Sequence, residues 1–104
     1  MGWNEGYSIM EVQVINLYNE GILTKNVLKG LMEPFRDSDI DRGGSHDLKS
    51  KDGKTADEII ISVMEPEKYQ EAADGFVATE ENGGYNEKLD DLWYEITKRE
   101  WNFW

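Results

Sequence analysis

Apolar residues recur along this chain in short runs at helical spacing, and polar stretches separate the runs. Residues 1–7 read as an arm with two aromatic anchors, Trp3 and Tyr7. Ser8-Ile9-Met10-Glu11 then has the form of a capping box, in which the Ser hydroxyl accepts from the third helical N–H and Glu11 reaches back. Val12, Val14, Ile15, Leu17 and Tyr18 give the helix that follows a broad apolar face, and Gly21 closes it. Thr24 caps a second helix carrying Val27, Leu28, Leu31 and Met32, which Pro34 stops.

Thr55-Ala56-Asp57-Glu58 is a second capping box. Ile59, Ile60, Val63 and Met64 follow at helical spacing, and Pro66 ends or kinks the run. Three successive isoleucines also suit a strand, but the capping box favours a helix. Residues 69–73 add a helical turn or two before Gly75, and residues 79–85 form a loop. Asn86 caps the last helix, where Leu89, Leu92, Trp93 and Ile96 form one stripe, with Trp101, Phe103 and Trp104 directly after.

The pattern therefore predicts an all-α single domain, residues 1–104, of four or five short helices with one long glycine-rich central loop over 35–54. Loops near 20 residues are uncommon unless they serve a function or are disordered. Leu31-Met32-Glu33-Pro34 echoes Val63-Met64-Glu65-Pro66, but a single echo is no solenoid, and proline is a common helix stop.

Composition narrows the classes. A chain of 104 residues buries roughly 65% of its unfolded surface, enough for one modest core. With no cysteine there is neither a disulfide framework nor a thiolate zinc site. No apolar run is long enough to span a membrane. Met1-Gly2-Trp3-Asn4-Glu5 lacks the features of a signal peptide, and Gly6 stands where a myristoylation motif needs Ser or Thr. A cytoplasmic location is expected.

The net charge of -11 argues against direct nucleic-acid binding and favours basic partners. The charge is uneven. From Glu65 to Asp91 there are nine acidic residues (Glu65, Glu67, Glu71, Asp74, Glu80, Glu81, Glu87, Asp90 and Asp91) against Lys68 and Lys88. In contrast, four of the eleven Lys and Arg lie within residues 42–54, with the only histidine.

That basic island suggests an anion site. Gly43, Gly44 and Ser45 can present backbone N–H groups, and Thr55 opens a helix whose N-terminus attracts anions. Arg42, His46, Lys49, Lys51 and Lys54 add charge, while Asp37, Asp39, Asp41, Asp47 and Asp52 are near enough to neutralise it. Sharper motifs are incomplete. Asp52-Gly53-Lys54-Thr55 lacks the first glycine of a P-loop, since that position is Leu48. Asp37-x-Asp39-x-Asp41 begins like a calcium loop but has Arg42 at the turn and Leu48 in place of the bidentate glutamate. Ser45-His46-Asp47 holds the letters of a triad, but neighbours in sequence do not point at one another in triad geometry. No enzyme signature, metal set or cofactor motif is present.

The spacing of Gly21, Ile22 and Val27 is that of a helix-turn-helix. Leu17 is larger than close helix crossing prefers, Gly30 stands where an apolar residue is expected, and the second helix offers Lys25 and Lys29 without arginine. Four tryptophans in so short a chain fill a core or anchor an interface, and Trp101 and Trp104 are candidates for partner contact.

In size and charge the whole chain resembles small phage and prophage proteins, particularly anti-CRISPR and anti-restriction inhibitors. The stretch Gly43-Gly44-Ser45-His46-Asp47-Leu48-Lys49-Ser50-Lys51-Asp52-Gly53-Lys54 is similar to segments of uncharacterised phage proteins. The resemblance implies a non-enzymatic inhibitor in a bacterial cytoplasm that offers carboxylates to a basic defence nuclease. Glu67, Glu71, Glu80, Glu81, Glu87, Asp90 and Asp91, with Trp101 and Trp104, would then form the partner surface. One alternative is a module that sequesters a nucleotide or phosphate ligand through Arg42, Gly43, Gly44, His46, Lys49, Lys54 and Thr55, with Trp3 or Tyr7 stacking on a base. Another is a small helix-turn-helix-like regulator. A homodimer is open in each case.

Overall fold

The computed structural model describes residues 2–38, 48–77, 79–81 and 86–103, with side chains from residue 9 onward. Among them are five α-helices and no strand: α1 (Gly2–Asn19), α2 (Lys25–Met32), α3 (Ala56–Met64), α4 (Pro66–Asp74) and α5 (Glu87–Trp101). A 3-10 turn, Glu33–Phe35, follows α2. No described helix is long and apolar enough to cross a membrane. The glycine-rich part of the central loop, 39–47, lies outside the described residues.

The centre of the molecule is α3. Ala56, Ile59, Ile60 and Ile61 are fully buried and Met64 nearly so. Consecutive helical residues are about 100° apart, so three isoleucines in a row cover about 200° of the helix surface. A helix apolar over that arc must be covered on several sides, and α3 packs against α1, α2, α4 and α5. The isoleucine run, ambiguous between strand and helix in the sequence, is thus the signature of a central helix. The Thr55 box starts it as expected: Glu58 N–H donates to Thr55 Oγ1, and Thr55 N–H donates to Glu58 Oε1 at 3.2 Å.

The N-terminal expectation needs correction. Residues 2–7 are not an arm, and Ser8 is not a cap, because α1 already begins at Gly2. Nothing before Ser8 forbids helical backbone, and Gly6 costs only about 1 kcal/mol in a helix interior. The buried stripe accordingly runs through Met10, Val14 and Ile15, while Val12 is exposed. Glu11, freed of any capping duty, is buried against α3.

Gly21 ends α1 at φ +74°, a left-handed conformation that favours glycine. Thr24 Oγ1 then accepts from Val27 N–H and starts α2, which buries Leu28 and Met32 but leaves Val27 exposed. Pro66 does not merely kink α3. It occupies the first turn of a separate helix, α4, where its missing N–H is no loss. α4 and α5 run antiparallel: Asn86, capping α5, donates to Ala72 O near the end of α4, while Arg99 near the end of α5 reaches Glu65 at the start of α4.

The end of α5 is tied to the chain after α2. The α5 carbonyls of Glu100 and Trp101 accept from the Arg36 guanidinium (3.0 Å) and from Asp37 N–H (2.9 Å). Asn102 and Asp37 both take positive φ and bond to each other, Asn102 Nδ2 donating to Asp37 Oδ1 at 2.7 Å. The turn at Asn102 folds Phe103 inward, where its ring meets Trp93 and Trp101. Trp101 is therefore a correction too. It is fully buried, its indole N–H directed at Lys29 O at 3.4 Å, and so it offers no surface to a partner.

Candidate functional site

Two regions concentrate polar chemistry. The first is where the turn before α3 meets the end of α1. Ser50 N–H donates to Lys54 O, Gly53 N–H to Ser50 O, and Lys54 N–H to Ser50 Oγ, giving a tight turn with Gly53 at φ +87°. Lys51 N–H donates to Asn19 Oδ1, stapling the turn to α1. Inside it, Lys54 Nζ lies 2.7 Å from Asp52 Oδ2 and 3.0 Å from the Tyr18 hydroxyl, which itself donates to Asp52 at 2.7 Å. Ser50 Oγ donates to the other oxygen of Asp52. The Lys54 ammonium also lies 5.4 Å from the Tyr18 ring centroid and 5.9 Å from that of Tyr69.

The Lys54 hydrogen bond, then those of Ser50 and Tyr18, hold the Asp52 carboxyl well below the usual carboxylate range, and Asp52 and Tyr18 in turn raise Lys54. Burial, then the nearby Glu58 charge, raises the Tyr69 hydroxyl, which donates to Glu58 Oε2.

This arrangement changes the reading of the expected anion site. Lys54 is already matched by Asp52. Thr55 is engaged in its capping box, so the Glu58 carboxylate sits where an anion would meet the α3 N-terminus. Lys49 is exposed and apart from this network. Arg42, Gly43, Gly44 and His46 lie outside the described residues, as do Asp39, Asp41 and Trp104. Of the three aspartates that begin like a calcium loop, Asp37 bonds to Asn102. Among the described residues no group of three or more His, Cys, Asp and Glu side chains is placed to hold a metal ion.

The second region is the outer side of α4 and α5. Glu67 and Glu71 are exposed one helical turn apart on α4, as are Glu87 and Asp91 on α5, and Glu80 and Glu81 are exposed in the connection between the helices. Asp90 is half-buried. Among the described residues none of Glu67, Glu71, Glu80, Glu81, Glu87 or Asp91 forms an ion pair. The pairs lie elsewhere: Lys29 and Arg99 with Glu100, Arg36 with Glu33, Lys54 with Asp52, and Arg99 with Glu65 and Lys68 with Glu95 across the α4–α5 seam. Like charges four residues apart on a helix destabilise it by a few tenths of a kcal/mol per pair. Glu67 and Glu87, in first turns, offset this by favourable placement near the helix dipole. Glu71, Glu80, Glu81 and Asp91 have no such role.

Glu11 and Asp57, on the packed helices α1 and α3, form a pair absent from the expected sites. They are 3% and 6% exposed, and burial, then the Asp57 charge, pushes the Glu11 carboxyl up to about 7. The sequence signal was obscured because the capping-box pattern gave Glu11 another role. The Tyr18–Lys54–Tyr69 cluster was hidden for a different reason: its members are far apart in the chain and meet only through tertiary packing.

No family model matches the chain, no curated protein matches it, and no solved structure matches its fold.

Proposed function

We propose that this protein is a non-catalytic inhibitor whose acidic α4–α5 side occupies the basic, nucleic-acid-binding surface of a bacterial defence nuclease, in the manner of anti-CRISPR proteins. The observation that carries the reading is the set Glu71, Glu80, Glu81 and Asp91: exposed carboxylates with no ion pair among the described residues and no capping role. A partner rich in Lys and Arg, evolved to neutralise phosphates, supplies the missing counter-charges. Glu67 and Glu87 extend the same side. The buried Trp101 takes no part, so the contact is predominantly electrostatic.

The phosphate-sequestering alternative has less support, since Lys54 is neutralised by Asp52 and the α3 N-terminus is capped by its own side chains. The regulator reading has little either, because Lys29 on α2 is paired with Glu100.

The test is a binding assay against purified CRISPR effector nucleases and restriction endonucleases, with duplex DNA as competitor. A 1:1 complex is expected, displaced by DNA and weakened about tenfold or more between about 50 and 300 mM salt. Joint replacement of Glu71, Glu80 and Glu81 by Gln and Asp91 by Asn lowers affinity by about thirtyfold or more while leaving the helical melt intact. Undiminished inhibition by that variant refutes the proposal.

A further inference from the structure

A cleft of about 360 Å³ lies between the end of α1, the Lys54 turn, the last turn of α3 and the first part of α4. That is within the range of small-ligand sites, about 300–1,000 Å³. Its apolar wall comes from Leu23, Val63 and Pro66. The rings of Tyr18 and Tyr69 also line it, with the Lys54 ammonium near both. Gly21 stands at its border, where a Cβ would meet no atom within 4 Å, so no side chain narrows the site there.

Two polar groups of the lining keep unused N–H donors among the described residues. Lys54 has three N–H donors; Asp52 and Tyr18 take two of them. The Gln70 amide donates one N–H to Asp74 Oδ1 at 2.7 Å, which leaves its carbonyl oxygen and its second N–H. A carboxamide presenting one donor and one acceptor side by side matches the N6/N7 edge of adenine. Aromatic and apolar walls suit a flat ring.

Charge selects further. Lys54 is outweighed by Asp52 and by the Glu58 carboxylate bonded to Tyr69, in a chain of net charge -11. A phosphate or carboxylate ligand is repelled; an uncharged acceptor of the spare Lys54 hydrogen bond is not.

From these features we propose that the cleft binds an uncharged purine of the adenine type, as base or nucleoside, between Tyr18, Lys54, Tyr69 and Gln70. This site uses none of the carboxylates of the acidic set and stands whether or not that set binds a nuclease.

Amide correlation spectra of the labelled full chain, titrated with adenosine to about 5 mM, test it. Saturable shifts are expected at Gly21, Leu23, Val63 and Gln70, with AMP binding about fivefold or more weakly because of its phosphate. Lys54→Met and Gln70→Trp each weaken adenosine binding about tenfold or more. Gln70 is exposed on α4, so Gln70→Trp keeps the fold and carries the test if Lys54→Met does not fold. No shift with adenosine, AMP binding as tightly, or wild-type affinity in folded Gln70→Trp overturns the assignment.

Discussion

Carboxylates do opposite things on the two sides of this small molecule. At the junction of α1 with α3 they are built into the structure: Glu11 and Asp57 are buried together, Asp52 is gripped by Lys54, Ser50 and Tyr18, and Glu58 closes a capping box. On the outer side of α4 and α5, Glu71 and Asp91 are exposed with no ion pair among the described residues. Asp52 and Glu58 support the fold as carboxylates through their hydrogen bonds and Glu11 does so in its protonated form, whereas charge on the outer side slightly opposes the fold. The two populations therefore respond differently to salt and substitution.

The largest expected difference comes from Glu11. Its carboxyl is raised from 4.5 to about 7 in the folded chain, chiefly by burial. Between those values the folded state holds a proton that the unfolded state has released, so stability is fully present at about pH 4.5 and falls as pH rises through about 7. The loss is about 2–3 kcal/mol across that window. Urea unfolding at a series of pH values should show it. Glu11→Gln, neutral throughout, should flatten the slope, and an unchanged slope in that variant excludes Glu11 as its source.

A smaller effect of opposite sign is expected at Asp52. Its depressed carboxyl stabilises the fold above the unfolded value, and the contribution is lost as pH falls below it. The side chain is 48% exposed, so solvent screens the pair and Asp52→Asn costs about 1 kcal/mol at neutral pH. In thermal melts the gap between wild type and variant should close toward pH 2–3. A gap that persists there would mean that the amide fails for reasons of packing rather than charge.

These two sites also mark what the sequence could convey. Local chemistry was legible: Thr24, Thr55 and Asn86 start their helices as the spacing indicates, because a cap is settled by residues three apart. The all-helical class followed from the same periodicity. What failed was competition between local patterns and packing. Ser8 and Glu11 have the letters of a capping box, but the helix continues through them, and Glu11 is drawn into the core. Trp101 looked terminal and available, until the left-handed turn at Asn102 folded Phe103 back over it. Lys54 was visible as a cation, yet Tyr18 and Tyr69, which define its surroundings, are brought there by two helices far apart in the chain, α1 and α4. Among the surface positions, exposure of Glu67, Glu71 and Asp91 was foreseeable from composition; which carboxylates have no internal role required the ion pairs to be placed.

The smallest effect expected is on the outer side itself. Glu71 sits one turn after Glu67 on α4, and removing that repulsion with Glu71→Lys stabilises the helix by a few tenths of a kcal/mol. For a chain of this length that raises Tm by about 2 °C at low salt. The gain should vanish near 1 M NaCl, where exposed charges are screened. In the same variant the affinity for a basic nuclease should fall, because a cation now faces the partner's cations. A substitution that stabilises the fold while weakening binding identifies Glu71 as a residue kept for contact. If Glu71→Lys lowers Tm at low salt, the α4 carboxylate is instead part of the fold, and the division between the two sides of the molecule fails at that position.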